Sequence, residues 1–320
     1  MPAPTDPLEL NVIVSEQEHR DGRLSAENTR LGTLLLHARG YVILQGALPG
    51  SLVGQLASSF QELYAESLQH HRNSQCDKSA NDLQVGAKSV SWERGSRFRI
   101  FPKLTGPFAS TYVLRNPFAH VIIAETLGAD YYCKSLSSDT CVKGSTTQAP
   151  HRDIDFYDDD DVSGCLINIP LMHCGLHNGP IEVWPGGSHL WRSGMFRKFN
   201  VQPFVQDDPN PDVELIAGFI PSTLIELRPG DLMIRDPGML HRGTPNPTDE
   251  PRTMLTAGYF RSDYYYPYGD PRYNLDEELY SALEPSVRQL FAPFFEESDW
   301  RYAKLRQEPA DSSQLRRYSQ

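Results

Sequence analysis

A His-Arg-Asp triplet at 151–153 is answered 88 residues after its aspartate by His241, and 11 residues further on by Arg252. This spacing constrains the fold more than any other feature, because groups so distant in sequence act together only if the fold brings them to one point. In an extended segment residues two apart share a face, so His151 and Asp153 project to the same side and can share a metal ion. His241 supplies a third ligand. Two imidazoles and one carboxylate on a triangular face suit non-haem Fe(II) with open positions for a co-substrate and dioxygen. Arg252 suits the far end of a dicarboxylic co-substrate such as 2-oxoglutarate, since its planar fork stays charged and grips a carboxylate bidentately.

The rest of the chain reads as short strands behind two helices. The 25 prolines and 23 glycines are spread along it and not gathered in a linker. They punctuate extended runs at Phe98 to Phe101, Cys165 to Pro170, Ile181 to Trp184, Thr223 to Glu226, Leu232 to Arg235 and Met254 to Arg261. Turns at Pro229-Gly230-Asp231 and Asp236-Pro237-Gly238 bracket the fifth run shortly before His241. Such a pattern predicts a mainly β chain with flanking helices, arranged as a double-sheet jelly roll. Leu31, Leu34, Leu35 and Ala38 recur at helical spacing from about Ala26 until Gly40, and Leu52, Leu56, Phe60, Leu63 and Tyr64 mark a second amphipathic helix from about Ser51 to Leu68. The expected organisation is a loose leader over 1–25, a single domain over 26–300 and a tail over 301–320. Within the domain, the irregular stretch 190–222 is a candidate lid.

Composition excludes several classes. No apolar run is long enough to span a membrane and no apolar signal peptide opens the chain. A net charge of −11 argues against nucleic acid, which demands a basic face. Cys76, Cys133, Cys141, Cys165 and Cys174 are odd in number and show no Cys-x-x-Cys spacing, so a reduced compartment and structural thiols are expected, without a zinc cluster. The acidic run Asp158 to Asp161 lacks the interleaved spacing of a calcium loop and reads as a solvated turn. The tyrosines at 264, 265, 266, 268 and 273 read chiefly as packing residues. Arg30-Leu31, five residues, then His37-Ala38 has the form of a peroxisomal import signal, but its leucine is needed by the helix, so a cytoplasmic location is expected.

The motifs surrounding the ligand set carry a family likeness. They are Gln148-Ala-Pro-His151-Arg-Asp153, Asn178-Gly179-Pro180, Pro185-Gly186-Gly187-Ser188-His189 and His241-Arg-Gly243-Thr-Pro-Asn246 leading to Arg252. With Gly40-Tyr41-Val42-Ile43-Leu44 at its start, the chain resembles the phytanoyl-CoA dioxygenase family from about Leu31 to about Tyr264. The resemblance implies a double-stranded β-helix, or cupin-like barrel, with the motifs at its open mouth. It further implies Fe(II) on His151, Asp153 and His241, 2-oxoglutarate on Arg252 with help from Gln148 and Asn168, and dioxygen as oxidant. Hydroxylation of a C–H bond would follow, with succinate and CO2 as co-products. Arg99 and Trp191 are the candidate substrate contacts, and Arg97 and Arg99 suit either an anionic substrate or the co-substrate. Two departures stand out: Ile181 replaces the family's threonine after Asn-Gly-Pro, and one glycine lengthens Pro-Gly-Ser-His. Asp153 retains the carboxylate that related halogenases lack, so no chloride site is expected.

Other readings stay open at this point. The barrel alone would also serve a non-catalytic sensor holding zinc or nickel, or a metal-dependent isomerase or hydrolase, neither of which needs Arg252. A coenzyme A or carrier-bound acyl substrate would favour a basic entrance, whereas the chain is acidic overall. That balance favours a small metabolite or natural-product intermediate as partner. A homodimer is compatible with the sequence.

Overall fold

The computed structural model describes residues 10–73, 84–86, 88–154, 162–192, 211–264, 266 and 269–296. The 301–320 tail, Cys76, the Asp158 to Asp161 run, Tyr265, Tyr268 and most of the expected lid lie outside them. In chain order the strands are β1 (Val12–Ile13), β2 (Tyr41–Gln45), β3 (Gln84–Val85), β4 (Ser89–Arg94), β5 (Arg97–Pro102), β6 (Tyr132–Cys141), β7 (Gly164–Pro170), β8 (Ile181–Val183), β9 (Thr223–Ile225), β10 (Leu232–Arg235), β11 (His241–Gly243) and β12 (Arg252–Phe260). They form a nine-stranded sheet in the order β1-β2-β10-β7-β12-β6-β5-β4-β3 and a three-stranded sheet in the order β11-β8-β9. His151 adds to the small sheet by an isolated antiparallel bridge to His241. The central strands β6, β12, β7 and β10 thus face a smaller layer made of His151, β11, β8 and β9, which is the jelly-roll arrangement of a double-stranded β-helix. Among the described residues the two layers remain separate sheets and do not close into one continuous barrel.

Strand alternation divides the large sheet into two faces. On β12, Leu255, Ala257 and Tyr259 join the main apolar core, while Arg252, Met254, Thr256, Gly258 and Phe260 line a cavity. The short polar helix α1 (Glu16–Asp21) adds no apolar side chain to that core, which is completed by helices α2 (Ala26–Arg39), α3 (Gly50–Asn73), α4 (Thr111–Leu114) and α5 (Ala119–Leu127), through Leu36, Leu56, Phe60, Leu63, Leu114 and Ile122 among others. Between the two sheets Tyr41, Ile43 and Met233 pack on Ile181, Val183 and Ile225 as a second apolar layer. The predicted helices fall where their periodicity put them, although the second runs on to Asn73.

Several expectations need correction. Residues 10–25 are no loose leader: Val12 is fully buried, β1 pairs in parallel with β2, and α1 carries a capping box. The reason is polar. Glu18 receives Ser15 N at 2.8 Å, Ser15 Oγ at 2.9 Å, Ser25 N at 2.7 Å and Asn28 Nδ2 at 2.9 Å, so one buried carboxylate ties the ends of two helices together. Hydrophobic periodicity is blind to such a hub. Part of the 190–222 stretch is the helix α6 (Pro211–Phe219). The import-like pattern is spent inside α2, where Leu31 packs on the core and the His37 carbonyl accepts from His189 Nε2 at 2.8 Å. Among the described residues no helix is long and apolar enough to cross a membrane. The four described cysteines are free thiols, all buried.

Glu18 makes acid stability testable. Burial acts to raise its carboxyl, but the hydrogen bonds from Ser15 and Ser25 prevail and lower it from 4.5 to about 2. Its stabilising contribution is therefore complete above the unfolded value and is lost as pH falls toward the folded one. Urea unfolding from pH 7 to pH 2.5 should show Glu18→Gln less stable than the parent at neutral pH, with the difference shrinking below about pH 4; a pH-independent difference would refute this role.

Candidate metal centre

The two ligand-bearing segments are zipped together by backbone. His151 N donates to His241 O and His241 N to His151 O, both at 2.9 Å, while Asp153 N reaches Pro237 O at 2.9 Å and Gln148 N reaches Gly243 O at 3.0 Å. Pro150 favours extended backbone at Ala149, and the turn at Asp236-Pro237-Gly238 is held by Gly238 N on Asp236 Oδ1 at 2.7 Å. The triplet does not form a full strand; His151 alone makes the bridge, yet His151 and Asp153 both line the cavity as alternation predicted.

One atom from each of His151, Asp153 and His241 lies within 4.8 Å of the others. Each imidazole donates from Nδ1 to the carbonyl two residues earlier, His151 to Ala149 at 2.9 Å and His241 to Met239 at 3.0 Å. A carbonyl only accepts, so both rings carry the proton on Nδ1 and turn the Nε2 lone pair inward, the tautomer a metal requires. Burial, followed by the Arg235 cation, pushes His241 down to about 3, keeping its lone pair available at neutral pH. Burial opposes ionisation of Asp153, but Arg235, His241 and His151 hold its carboxyl far below the usual carboxylate range. Asp153 Oδ2 sits 2.6 Å from Arg235 Nη2 and 3.3 Å from His241 Nε2.

Arg235 was not anticipated, although an arginine ending the apolar run Leu232-Met233-Ile234 is a signal that its charge is used inside. Its Nε donates to Asn168 Oδ1 at 3.2 Å, and Asn168 Nδ2 donates to Thr256 Oγ1 at 2.9 Å. Asn168 therefore positions the arginine behind the metal carboxylate. It also lines the cavity, on the side where the co-substrate contact was expected of it.

Arg252 opens β12 and is fully buried. Its Nη1 meets Asp139 Oδ2 at 3.2 Å and Asp139 O at 3.3 Å, while Nε and Nη2 are buried with no hydrogen-bond partner. Half of the fork is thus committed and the side-on half is open. Burial works against ionisation of Asp139, but Arg252, Arg97 and Arg99 outweigh it and hold the carboxyl at about 2. Asp139 was missed with the strand that carries it. The segment between His241 and Arg252 is fixed by Asn246, whose Nδ2 reaches Cys141 O at 2.9 Å and Glu250 O at 2.8 Å.

The other expected residues divide by position. Gln148 lines the cavity, but its Oε1 accepts from Gly243 N at 2.8 Å, so it braces the His241 strand. A side chain at Gly243 would come within 2.5 Å of that oxygen and 2.7 Å of Arg97 Nη1, which explains the glycine. Arg99 lines the cavity, half-buried, with its guanidinium 5.8 Å from the Trp92 ring centre. Trp191 does not line it; it packs with Trp184, Val213 and Leu240. The remaining motifs are structural. At Gly179, with φ +90°, a β-carbon would lie 2.9 Å from Pro245 O, so Asn178-Gly179-Pro180 is the close crossing over the chain after His241. Ser188 Oγ accepts from Leu240 N at 3.0 Å, and His189 is held away from the ligands by His37 O. Ile181, in the place of the family's threonine, offers the cavity no hydroxyl.

Three solved structures are similar in fold. The epimerase SnoN, solved in complex with Fe3+, alpha ketoglutarate and nogalamycin RO, is 18% identical with a TM-score of 0.54, over 75% of this chain and 86% of that one. The non-haem alpha ketoglutarate dependent carbocyclase SnoK from nogalamycin biosynthesis is 18% identical with a TM-score of 0.52, over 82% and 92%. AviO1 from Streptomyces viridochromogenes Tue57 is 15% identical with a TM-score of 0.52, over 74% and 96%. At these identities the likeness is one of fold. The family model for phytanoyl-CoA dioxygenase (PhyH) matches residues 36–254, which include all three clustered ligands and Arg252, and the chain belongs to that family.

Proposed function

We propose that the protein is an Fe(II)- and 2-oxoglutarate-dependent oxygenase that oxidises a C–H bond of a small metabolite or natural-product intermediate, hydroxylation being the simplest outcome. One observation carries the reading: a three-ligand cluster of metal-binding type and an arginine with its side-on fork open share one cavity of about 310 Å3. Neither a sensor nor a metal-dependent isomerase needs a buried guanidinium left half unpaired, whose desolvation without a partner is costly. A carboxylate on Nε and Nη2 completes it. The SnoK and SnoN neighbours, with their carbocyclase and epimerase chemistry in nogalamycin biosynthesis, support a tailoring role and show that the scaffold accommodates more than one outcome.

His151, Asp153 and His241 would hold the iron, which when bound supplies the redox chemistry that couples dioxygen and 2-oxoglutarate decarboxylation to substrate oxidation, with succinate and CO2 as co-products. The protein does the rest. Ala149 O and Met239 O fix the two rings, Arg235 and Asn168 fix the carboxylate, and Arg252 sets the direction of the co-substrate by its far end. Leu166, Phe260 and Tyr266 line one side of the cavity and Trp92 and Phe101 another, restricting water and limiting how a substrate can present its C–H bond.

Anaerobic titration of the Fe(II) protein with 2-oxoglutarate should give the visible metal-to-ligand absorption, and admitting oxygen should yield succinate. Iron bound firmly with no such band would transfer the assignment to the sensor or isomerase class. Arg252→Met should weaken 2-oxoglutarate binding by at least about thirtyfold while iron content is kept, as expected for losing charged hydrogen bonds; unchanged affinity would place the co-substrate elsewhere. His241→Ala should instead lower iron content itself, read by metal analysis, because two ligands no longer define a facial site. Asn168→Ala should weaken iron binding about tenfold through Arg235 without removing a ligand, and restoration by Asn168→Gln or Asn168→Asp would mark positioning in place of direct contact.

A further inference from the structure

The cavity has a charge opposite to that of the whole protein. The chain carries −11, yet the cavity lining holds Arg97 and Arg99 in addition to the ion pairs Arg235–Asp153 and Arg252–Asp139. Resting on the function proposed above, a divalent metal and dianionic 2-oxoglutarate cancel one another. A surplus of positive charge remains, focused in a concave low-dielectric space where its field is strongest.

That surplus is concentrated on β5. Arg97 and Arg99 are two apart on a strand and so share its cavity face. Arg97 is 9% exposed; its Nη2 donates to Thr146 O and Thr244 O at 3.0 Å each, and its Nη1 is buried without a hydrogen-bond partner. Arg99 stands beside it over Trp92. Asp139 lies in the field of both, and its hydrogen bond goes to Arg252. With the open half of Arg252 assigned to the co-substrate, these two guanidiniums have no ion pair among the described residues. Burying Arg97 in this state is costly unless a ligand repays it.

We propose that the primary substrate carries an oxyanion, a carboxylate or a phosphate, and that Arg97 and Arg99 bind it against the β5 wall of the cavity. Trp92 and Phe101, which line the same wall, provide an apolar surface for the part of the substrate next to that anion. The volume of about 310 Å3 lies at the low end for ligand pockets, enough for the anionic end of a small molecule. The inward charge thus reverses the inference drawn from the acidic whole: the selected substrate is negative, and the −11 belongs to the outside.

The test is calorimetric titration of protein loaded with Mn(II) and saturating 2-oxoglutarate, using benzoate, phenyl phosphate and benzyl alcohol as probes. Both anions should bind more tightly than the neutral alcohol, and the stronger of the two distinguishes carboxylate from phosphate. Arg99→Gln should weaken the anions roughly tenfold, the scale of a charged hydrogen bond, with 2-oxoglutarate affinity within about twofold. Because Arg97 also holds two carbonyls, Arg97→Gln is the second variant, read only if its 2-oxoglutarate binding shows an intact site. The proposal is overturned if the anions bind no better than benzyl alcohol, if Arg99→Gln leaves their affinity intact, or if it weakens 2-oxoglutarate as much as the probes. Should 2-oxoglutarate not bind even to the parent, the oxygenase reading fails, and the same titration with Mn(II) alone still decides whether Arg99 holds an anion.

Discussion

The reciprocal hydrogen bonds between His151 and His241 are the contact on which the site depends. They join two segments far apart in sequence, set both imidazoles side by side with ring centres 4.4 Å apart, and leave Asp153 to be fixed by Pro237 O. Main-chain pairing is suited to this task because it specifies register as well as proximity. A slip of one residue in either segment would turn that segment's histidine out of the cavity. Around the bridge, Gln148, Asn178, Ser188 and Asn246 spend their side chains on backbone groups, so much of the motif text surrounding the ligands is scaffold for two short chain segments.

Charge is arranged in layers behind that scaffold. Asp153 faces Arg235, Arg235 faces Asn168, and Asn168 faces Thr256 on the neighbouring strand. A carboxylate so held is pre-aligned, and removing one partner would leave an uncompensated buried charge. Arg252 and Asp139 form a second pair at the other side of the cavity, but an incomplete one, because two guanidinium nitrogens remain unpartnered. Arg235 leaves one buried nitrogen, Nη1, without a hydrogen-bond partner and Arg252 leaves two, so the two pairs differ in degree and Arg252 is the more open. The same reasoning extends to Arg97, which is buried by its neighbours and only partly satisfied by them.

Legibility in the sequence followed the kind of signal each residue left. Strands facing apolar layers on both sides, such as β7 and β10, were readable because their hydrophobic runs end at turn residues. β6 escaped although it is the longest strand, since Ser135, Ser137 and Asp139 line the cavity and break the apolar pattern. A register shift opposite Gly258 and Tyr259 disturbs its alternation further. β11 is three residues long and is defined by its partners. With β6 hidden, Asp139 had no place in the reading. Trp191 erred in the other direction: a large aromatic beside an expected lid suggested substrate, but Trp184 and Leu240 offered it an apolar cluster.

By itself the sequence determined the family and the mainly β architecture, and it singled out His151, Asp153, His241 and Arg252 as candidates, because these depend on residue type, order and local periodicity. Only the tertiary structure decided which polar side chains support others and which remain open. Whether Asn168 touches a co-substrate or an arginine, whether Gln148 faces a ligand or an amide, and how positive the interior of an acidic protein becomes all depend on distances between strands. Local sequence does not contain those distances, since side-chain charge is summed along the chain but its field is set by where the sheets fold it.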